Sequence, residues 1–140
     1  MMLFLLLTLA VPQMGFDQAK AAHHFHLYND GGAIAVEAKD AGDKSQVDAV
    51  RAHLSHIAIM FGGGNFDAPM FVHGTKDVPG VAVLKEQRGA ITYRYAETPS
   101  GGRVDVVTTD AAALPALHDF LRYQIREHKT GDPDTVSPRR

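Results

Sequence analysis

The stretch "HHFHLYNDGGAIAVEAK", residues 23–39, decides the fold because it predicts two strands joined by a tight turn. Apolar and polar residues alternate on both sides of "NDGG" (29–32), as in a half-buried pair of strands. Phe25 lies on one face of the first strand, and Ile34 and Val36 share one face of the second. Asn, Asp and Gly favour tight hairpin turns. The stretch therefore predicts an antiparallel hairpin with one face directed into a core.

An amphipathic helix is predicted to follow this hairpin. Residues 47 to 61 carry apolar side chains at spacings of three and four, which is the period of one helix face. Asp43 or Ser45 can cap its first turn, and the glycines at 62–64 end it. A phosphate-binding loop is excluded because its glycines precede a helix, whereas these follow one.

The order of hairpin and helix occurs again in the second half of the chain. Tyr93 and Tyr95 alternate with polar residues, "TPSGG" (98–102) turns the chain, Val104 returns, and Asp110 opens a second helix. Strands are expected near 23–29, 33–39, 90–97 and 103–109, and helices near 44–61 and 111–128.

Two such units predict a two-layer α+β fold, in which a duplicated ββα unit forms a four-stranded antiparallel sheet with both helices on one face. We expect a single domain over residues 20–130 and a flexible polar tail over 131–140. The long irregular stretch 62–88 is apolar enough to pack against the domain.

The composition excludes several classes of protein. The chain has 140 residues, 45% of them hydrophobic, which suits one globular domain. Its net charge is −2, so we do not expect nucleic acid as a partner. The absence of cysteine excludes disulfides, thiolate metal sites and thiol nucleophiles. No serine-nucleophile motif occurs, so the chain is expected to bind a ligand rather than to catalyse a reaction.

Residues 2–11, "MLFLLLTLAV", form an apolar leader. A helix of this length spans ~15 Å, about half of a bilayer core, so it is not a membrane span. It fits the apolar part of a secretory signal, although no Lys or Arg precedes it. We expect residues 1–13 to be removed on export, which leaves a periplasmic or secreted protein without a membrane span. The alternative is a buried first strand or helix.

Eight histidines are the unusual feature of the composition. Side chains alternate across a strand, so His23 is directed inward with Phe25, whereas His24 and His26 lie on the open face of the sheet. Helical spacing and the apolar loop select the other inward residues. The inward or loop-anchored set is His23, His53, His73, His118 and His128.

Several buried imidazoles need internal partners, because each one left unpaired costs ~1–3 kcal/mol. A metal or a hydrogen-bond network would satisfy them. Nitrogen-only ligation suits Cu(II) or Zn(II) and, as a weaker expectation, haem iron. His118 and His128 lie ~15 Å apart on one helix and do not share an ion. His23 is expected to meet His118 or His53, and His73 and His128 would form a second group.

Two alternatives remain open. One is a ligand- or protein-binding module in which the histidines form a structural hydrogen-bond network, with an open sheet face (His24, His26 and Tyr28) that meets a partner or a second copy as a homodimer. The other is a copper site that includes thioethers, unless the methionines only fill core gaps. That rival set is His53, His56, Met60, Met70 and His73.

A family resemblance rests on "HHFHLYNDGG", "AKD" (38–40), "VRAHLSHIAIMFGGGNFDAP" (50–69), "VHG" (72–74), "VPG" (78–80) and "ALHDFLRYQIREH" (116–128). Across almost the entire mature length, the chain resembles a family of small exported bacterial proteins of uncharacterised function. The histidines that match the family pattern are the same five, His23, His53, His73, His118 and His128.

Members of this family are sometimes labelled aspartate carbamoyltransferase, but the sequence does not support that activity. Such an enzyme would need a chain about twice as long, in two α/β domains. It would also need a serine-threonine-arginine phosphate motif at a helix start, which does not occur here. The resemblance therefore implies no activity.

Overall fold

The computed structural model describes residues 16–67 and 77–139. It is an α+β fold with a four-stranded antiparallel sheet in the order β1-β2-β4-β3, which confirms the predicted fold class. The elements are β1 (Ala21–Tyr28), β2 (Gly31–Ala38), α1 (Lys44–Gly62), α2 (Val81–Glu86), β3 (Thr92–Thr98), β4 (Gly101–Val107) and α3 (Ala113–His128). The predicted leader, 1–13, lies outside the described residues.

Both long helices pack on the same face of the sheet, as expected. A β-carbon at Gly102 would approach Leu54 of α1, and one at Gly32 would touch Leu121 of α3. These two glycines lie on one face because Gly102 pairs with Val36, which is in register with Gly32. The predicted inward residues agree, since Phe25, Val36 and Val104 are fully buried and Tyr93 packs against the core.

Each long helix lies over the hairpin of the other half of the chain. Helix α1 packs mainly on β3 and β4, and α3 packs on β1 and β2. His118, near the start of α3, lies beside Tyr28 at the end of β1. His128, at the end of α3, lies beside His23 near the start of β1. Helix α3 therefore runs antiparallel to β1. Duplication of a ββα unit stays a prediction, because the structure does not establish it.

The glycine pairs that were assigned to the turns lie inside strands. The turns are the two-residue segments 29–30 and 99–100. Gly31 begins β2, and a β-carbon there would overlap the backbone of Val106 on β4. A β-carbon at Gly101 would overlap the backbone of Val36 in the same way. These glycines therefore let β2 and β4 approach one another, which strand patterning does not reveal.

The stretch 62–88 contains a helix that the sequence did not predict. Helix α2 has six residues, too few for a period of 3.6 to be visible. Its Leu84 is fully buried, and Phe66 stacks on Phe61 at a ring distance of 4.3 Å. The prediction that this region packs down is confirmed for those residues. Residues 68–76, which include His73 and Met70, lie outside the described part of the chain.

The predicted flexible tail makes specific contacts over its described residues. The backbone of Ser137 donates to Leu27 O (3.1 Å) and accepts from Asn29 N (3.0 Å) on the outer edge of β1. Arg139 lies over the Tyr28 ring, 4.6 Å from its centroid. We call residues 130–139 the C-terminal strap. Within the ranges 16–67 and 77–139, no helix has the length and apolar character needed to cross a bilayer.

Candidate functional site

Three of the five predicted histidines are linked by ring contacts. The ring of His23 stacks on Phe16 at a centroid distance of 6.0 Å, and His53 meets Phe16 edge-on at 5.5 Å. His23 also stacks on His128 at 5.1 Å, with the ring planes inclined by 20°. We call His23, His53 and His128 the histidine cluster. Phe16 is buried, so the domain extends upstream of the predicted boundary at residue 20.

Each member of the cluster comes from a different element. His23 is near the start of β1, where the alternation that buries Phe25 also directs its ring inward. His53 lies at the edge of the buried stripe of α1, and His128 is the last residue of α3. His23 and His53 both contact Phe16, and a direct contact between them stays a prediction, whereas the predicted contact between His23 and His118 is wrong. It fails because α3 runs antiparallel to β1.

Burial keeps His23 and His53 uncharged near neutral pH. Loss of hydration, together with smaller repulsions from His128 and His53, lowers the pKa of His23 from 6.5 to about 4. Burial also lowers the pKa of His53 to about 4, with a smaller contribution from the neighbouring His56. Neutral imidazoles carry one nitrogen with a lone pair, which is the form that binds metals.

One nitrogen of the cluster lacks a hydrogen bond. The Nε2 atom of His23 is buried and has no partner among the described residues. A buried donor or acceptor left unsatisfied costs ~1–3 kcal/mol, and native structures usually explain such an atom by a bound water or ion. This atom is the one buried, unpartnered nitrogen that the described residues show in the cluster.

A cavity of about 340 Å³ adjoins the cluster at the start of β1 and the end of α3. Its lining includes His23, His24 and His128, together with Lys39 and Lys129. No Asp or Glu occurs among the described residues that line it. The cavity therefore offers imidazole nitrogens and lysine ammonium groups, a combination that suits neither Ca²⁺ nor Mg²⁺, which prefer oxygen ligands.

The rings as they stand do not form a closed metal site. Among residues 16–67 and 77–139, no three His, Asp or Glu side chains are arranged to hold an ion. Ligand nitrogens around one ion must converge to ~2.0–2.1 Å from it, whereas nearly parallel rings such as those of His23 and His128 direct their lone pairs side by side. Coordination would therefore require one of these rings to rotate.

His118 has a structural role. Its Nε2 lies 2.9 Å from Tyr28 O and 3.0 Å from Gly31 O, and its side chain is buried. Both neighbours are acceptors, so Nε2 carries the proton and donates to them. The imidazole thereby fastens α3 to the turn between β1 and β2. His118 therefore behaves as expected of a histidine in a structural hydrogen-bond network, and it is separated from the histidine cluster.

The histidines that were assigned to the open face lie there. His24 and His26 stack at 6.4 Å, and His26 stacks on Tyr28 at 6.0 Å. The Nδ1 atom of His24 lies 2.9 Å from Asp132 Oδ1 in the strap. Sequence reasoning missed Asp132, because a carboxylate in a polar tail carries no sign of its partner.

The rival set with thioether ligands is not assembled within the described part of the chain. His56 is exposed on α1 and Met60 is half-buried, while Met70 and His73 lie outside the described residues. That set stays a prediction, as does the contact between His73 and His128.

Comparison with known proteins leaves the site as the only guide to function. No family model, no curated protein and no solved structure matches this chain. The resemblance to small exported bacterial proteins therefore stays a prediction.

Proposed function

We propose that this is a non-enzymatic binding protein that takes up one Cu(II) or Zn(II) ion at the histidine cluster. The observation that supports the proposal most is the buried, unpartnered Nε2 of His23, which lies beside a second imidazole, that of His128. An ion at this nitrogen would satisfy it. His53, whose ring also contacts Phe16, would be the third protein ligand if its ring turned towards the same ion.

The protonation state of the cluster favours metal binding. A histidine must be neutral to ligate, and metal affinity falls where protons compete. The pKa of His23 and of His53 is about 4, so protons do not compete at pH 7. Nitrogen-only donor sets suit Cu(II) and Zn(II). Haem is the weaker alternative, because the adjoining cavity of about 340 Å³ is at the lower end of the size range of ligand pockets.

Binding requires a change of ring orientation in this proposal. His128 ends α3, and the next residue, Lys129, has a left-handed backbone with φ of 51°. A side chain at a helix end is less confined than one within the helix. Rotation of the His128 ring from its stacked position would direct a nitrogen towards His23 Nε2, and water would complete the coordination.

Export is part of the proposal. The apolar leader at residues 2–11 supports it, and an exported protein meets copper and zinc outside the cytoplasm. The intact mass of protein recovered from a periplasmic or secreted fraction tests this step. Loss of the first ~13 residues is expected, and an uncleaved N-terminus in the cytoplasmic fraction would contradict it.

The experiment for the site is elemental analysis combined with calorimetric titration of Cu(II) and Zn(II). We expect the full chain to bind one equivalent, and His23→Phe to weaken binding by a factor of at least about ten while preserving ring stacking. His56→Phe is the matched control, because His56 is exposed on the same helix as His53. Absence of stoichiometric binding in the full chain would favour the alternative, a structural cluster of stacked rings.

A further inference from the structure

The strap occupies the free edge of the sheet as an added strand would. Strand β1 is at the edge of the sheet, and its outward backbone groups pair with the strap. Ser137 bonds to Leu27 O and Asn29 N, and Asp132 Oδ2 accepts from Phe25 N at 3.1 Å. An extended segment that pairs with a sheet edge is a common mode of peptide recognition.

The end of the strap is held in a socket that is specific for guanidinium. Arg139 Nε lies 2.8 Å from Asp30 Oδ1, and its Nη1 lies 2.8 Å from Asp105 Oδ1. Its Nη2 donates to the carbonyl oxygens of Gly32 (3.2 Å) and Val106 (3.0 Å). The guanidinium also covers the Tyr28 ring. Planar multidentate binding with cation–π contact selects arginine over lysine.

The hinge between α3 and the strap contains residues with a left-handed backbone conformation. Lys129 has φ of 51° and Gly131 has φ of 75°, so the chain reverses through two left-handed residues. Only glycine adopts that conformation without penalty. The strap reaches the edge of its own β1 only while this hinge is closed.

We propose that the β1 edge and the socket that holds Arg139 form a recognition site for an extended segment. The segment it binds supplies a carboxylate as Asp132 does, backbone pairing as Ser137 does and a guanidinium as Arg139 does. The partner that it fits is the strap of a second copy, in a reciprocal strap-exchanged dimer. Exchange needs no new contact, because each strap makes in the partner the bonds that it makes in its own chain. Docking on its own chain dominates at low concentration, where a short linker gives an effective concentration in the mM range.

Gly131→Val tests the hinge at a position where a β-carbon has open space. A β-carbon at Gly131 would meet nothing within 4 Å, so the substitution acts mainly through backbone strain. A side chain at a left-handed position should shift the equilibrium from the closed to the open hinge by about a factor of ten. A reciprocal dimer opens two hinges, so the dimer dissociation constant should fall about a hundredfold. Gly89→Val is the control, because Gly89 also has open space but no positive φ.

The measurement is light scattering after size exclusion. Dimerisation of Gly131→Val that is lost on adding Arg139→Ala supports the proposal. A monomeric Gly131→Val chain, or a dimer that survives Arg139→Ala, overturns it.

A second measurement does not depend on the hinge variant folding. The chain has no cysteine, so Asn29→Cys and Ser137→Cys can be placed in separate full chains and mixed at about 1 mM, near the effective concentration of the strap. Strap exchange predicts a disulfide between the two variants that Arg139→Ala removes. Pairing no better than that of an exposed Glu86→Cys control would overturn the proposal.

Discussion

The imidazole of His23 lies face to face with that of His128, with ring centroids 5.1 Å apart. One ring comes from an edge strand and the other from the last residue of the C-terminal helix. Phe16 also stacks on His23, at a centroid distance of 6.0 Å, so two rings pack against this imidazole while its Nε2 has no partner among the described residues. The predictions below follow from this arrangement and from the packing around it.

Acid should destabilise the protein through the buried cluster. The pKa of His23 and of His53 is about 4 in the folded state, against 6.5 when unfolded. As the pH falls from 6.5 to 4, the unfolded chain takes up protons that the folded chain does not, so this contribution is present above pH 6.5 and is lost across that range. Discounted for partial exposure, each residue contributes about 1–2 kcal/mol.

Urea unfolding at pH 7, 5 and 4 measures this loss. The double variant His23→Phe, His53→Phe should have a flatter pH dependence than the full chain. Replacement of the exposed His56 is the control. An unchanged pH dependence in the double variant would mean that other groups titrate on unfolding.

His118→Ala should destabilise the fold without affecting metal uptake. The variant loses the donor to Tyr28 O and Gly31 O and leaves a gap under the first hairpin, so we expect a loss of about 2–3 kcal/mol. The sequence pattern places His118 in the metal set, whereas in the structure its Nε2 is bonded to two carbonyl oxygens. Thermal unfolding and Zn(II) titration of the same sample distinguish the two roles. Loss of metal binding in a folded variant would restore the original assignment.

Gly32→Ala should be markedly destabilising although it adds one methyl group. Its β-carbon would lie against the Leu121 side chain and the carbonyl oxygen of His26, so the Leu121 side chain and the backbone of the first hairpin must shift. We expect about 2–3 kcal/mol, as for overpacked cores. Gly89→Ala, with open space around it, should change the unfolding free energy by less than about 0.5 kcal/mol. Equal effects of the two substitutions would argue against this packing.

The inward faces of the strands were predictable because alternation is a local property. Phe25 and Val36 are buried as expected, and Asp43 caps α1 through Gln46 N. The partner of His23 depends instead on the direction in which α3 crosses the sheet, and no local pattern encodes that direction. Proximity of His23 to His128 was therefore not predicted.

The strap was unpredictable for a different reason. Asp132 and Arg139 lie in a polar segment whose composition suits a free tail as well as a docked one. Asp132 bonds to the backbone of Phe25, and Arg139 bonds to the carboxylate of Asp30. Each partner lies more than one hundred residues earlier in the chain. Only the tertiary structure brings these groups together at the β1 edge.

The most direct test of the metal proposal observes the ring nitrogens of histidine by ¹⁵N NMR during a Zn(II) titration. We predict that His23 Nε2 and one nitrogen of His128 shift together and saturate at one equivalent, while His118 Nε2 keeps the resonance of a protonated donor to Tyr28 O and Gly31 O. Unchanged His23 and His128 resonances at a full equivalent of Zn(II), or shifts confined to the open-face residues His24 and His26, would contradict the account.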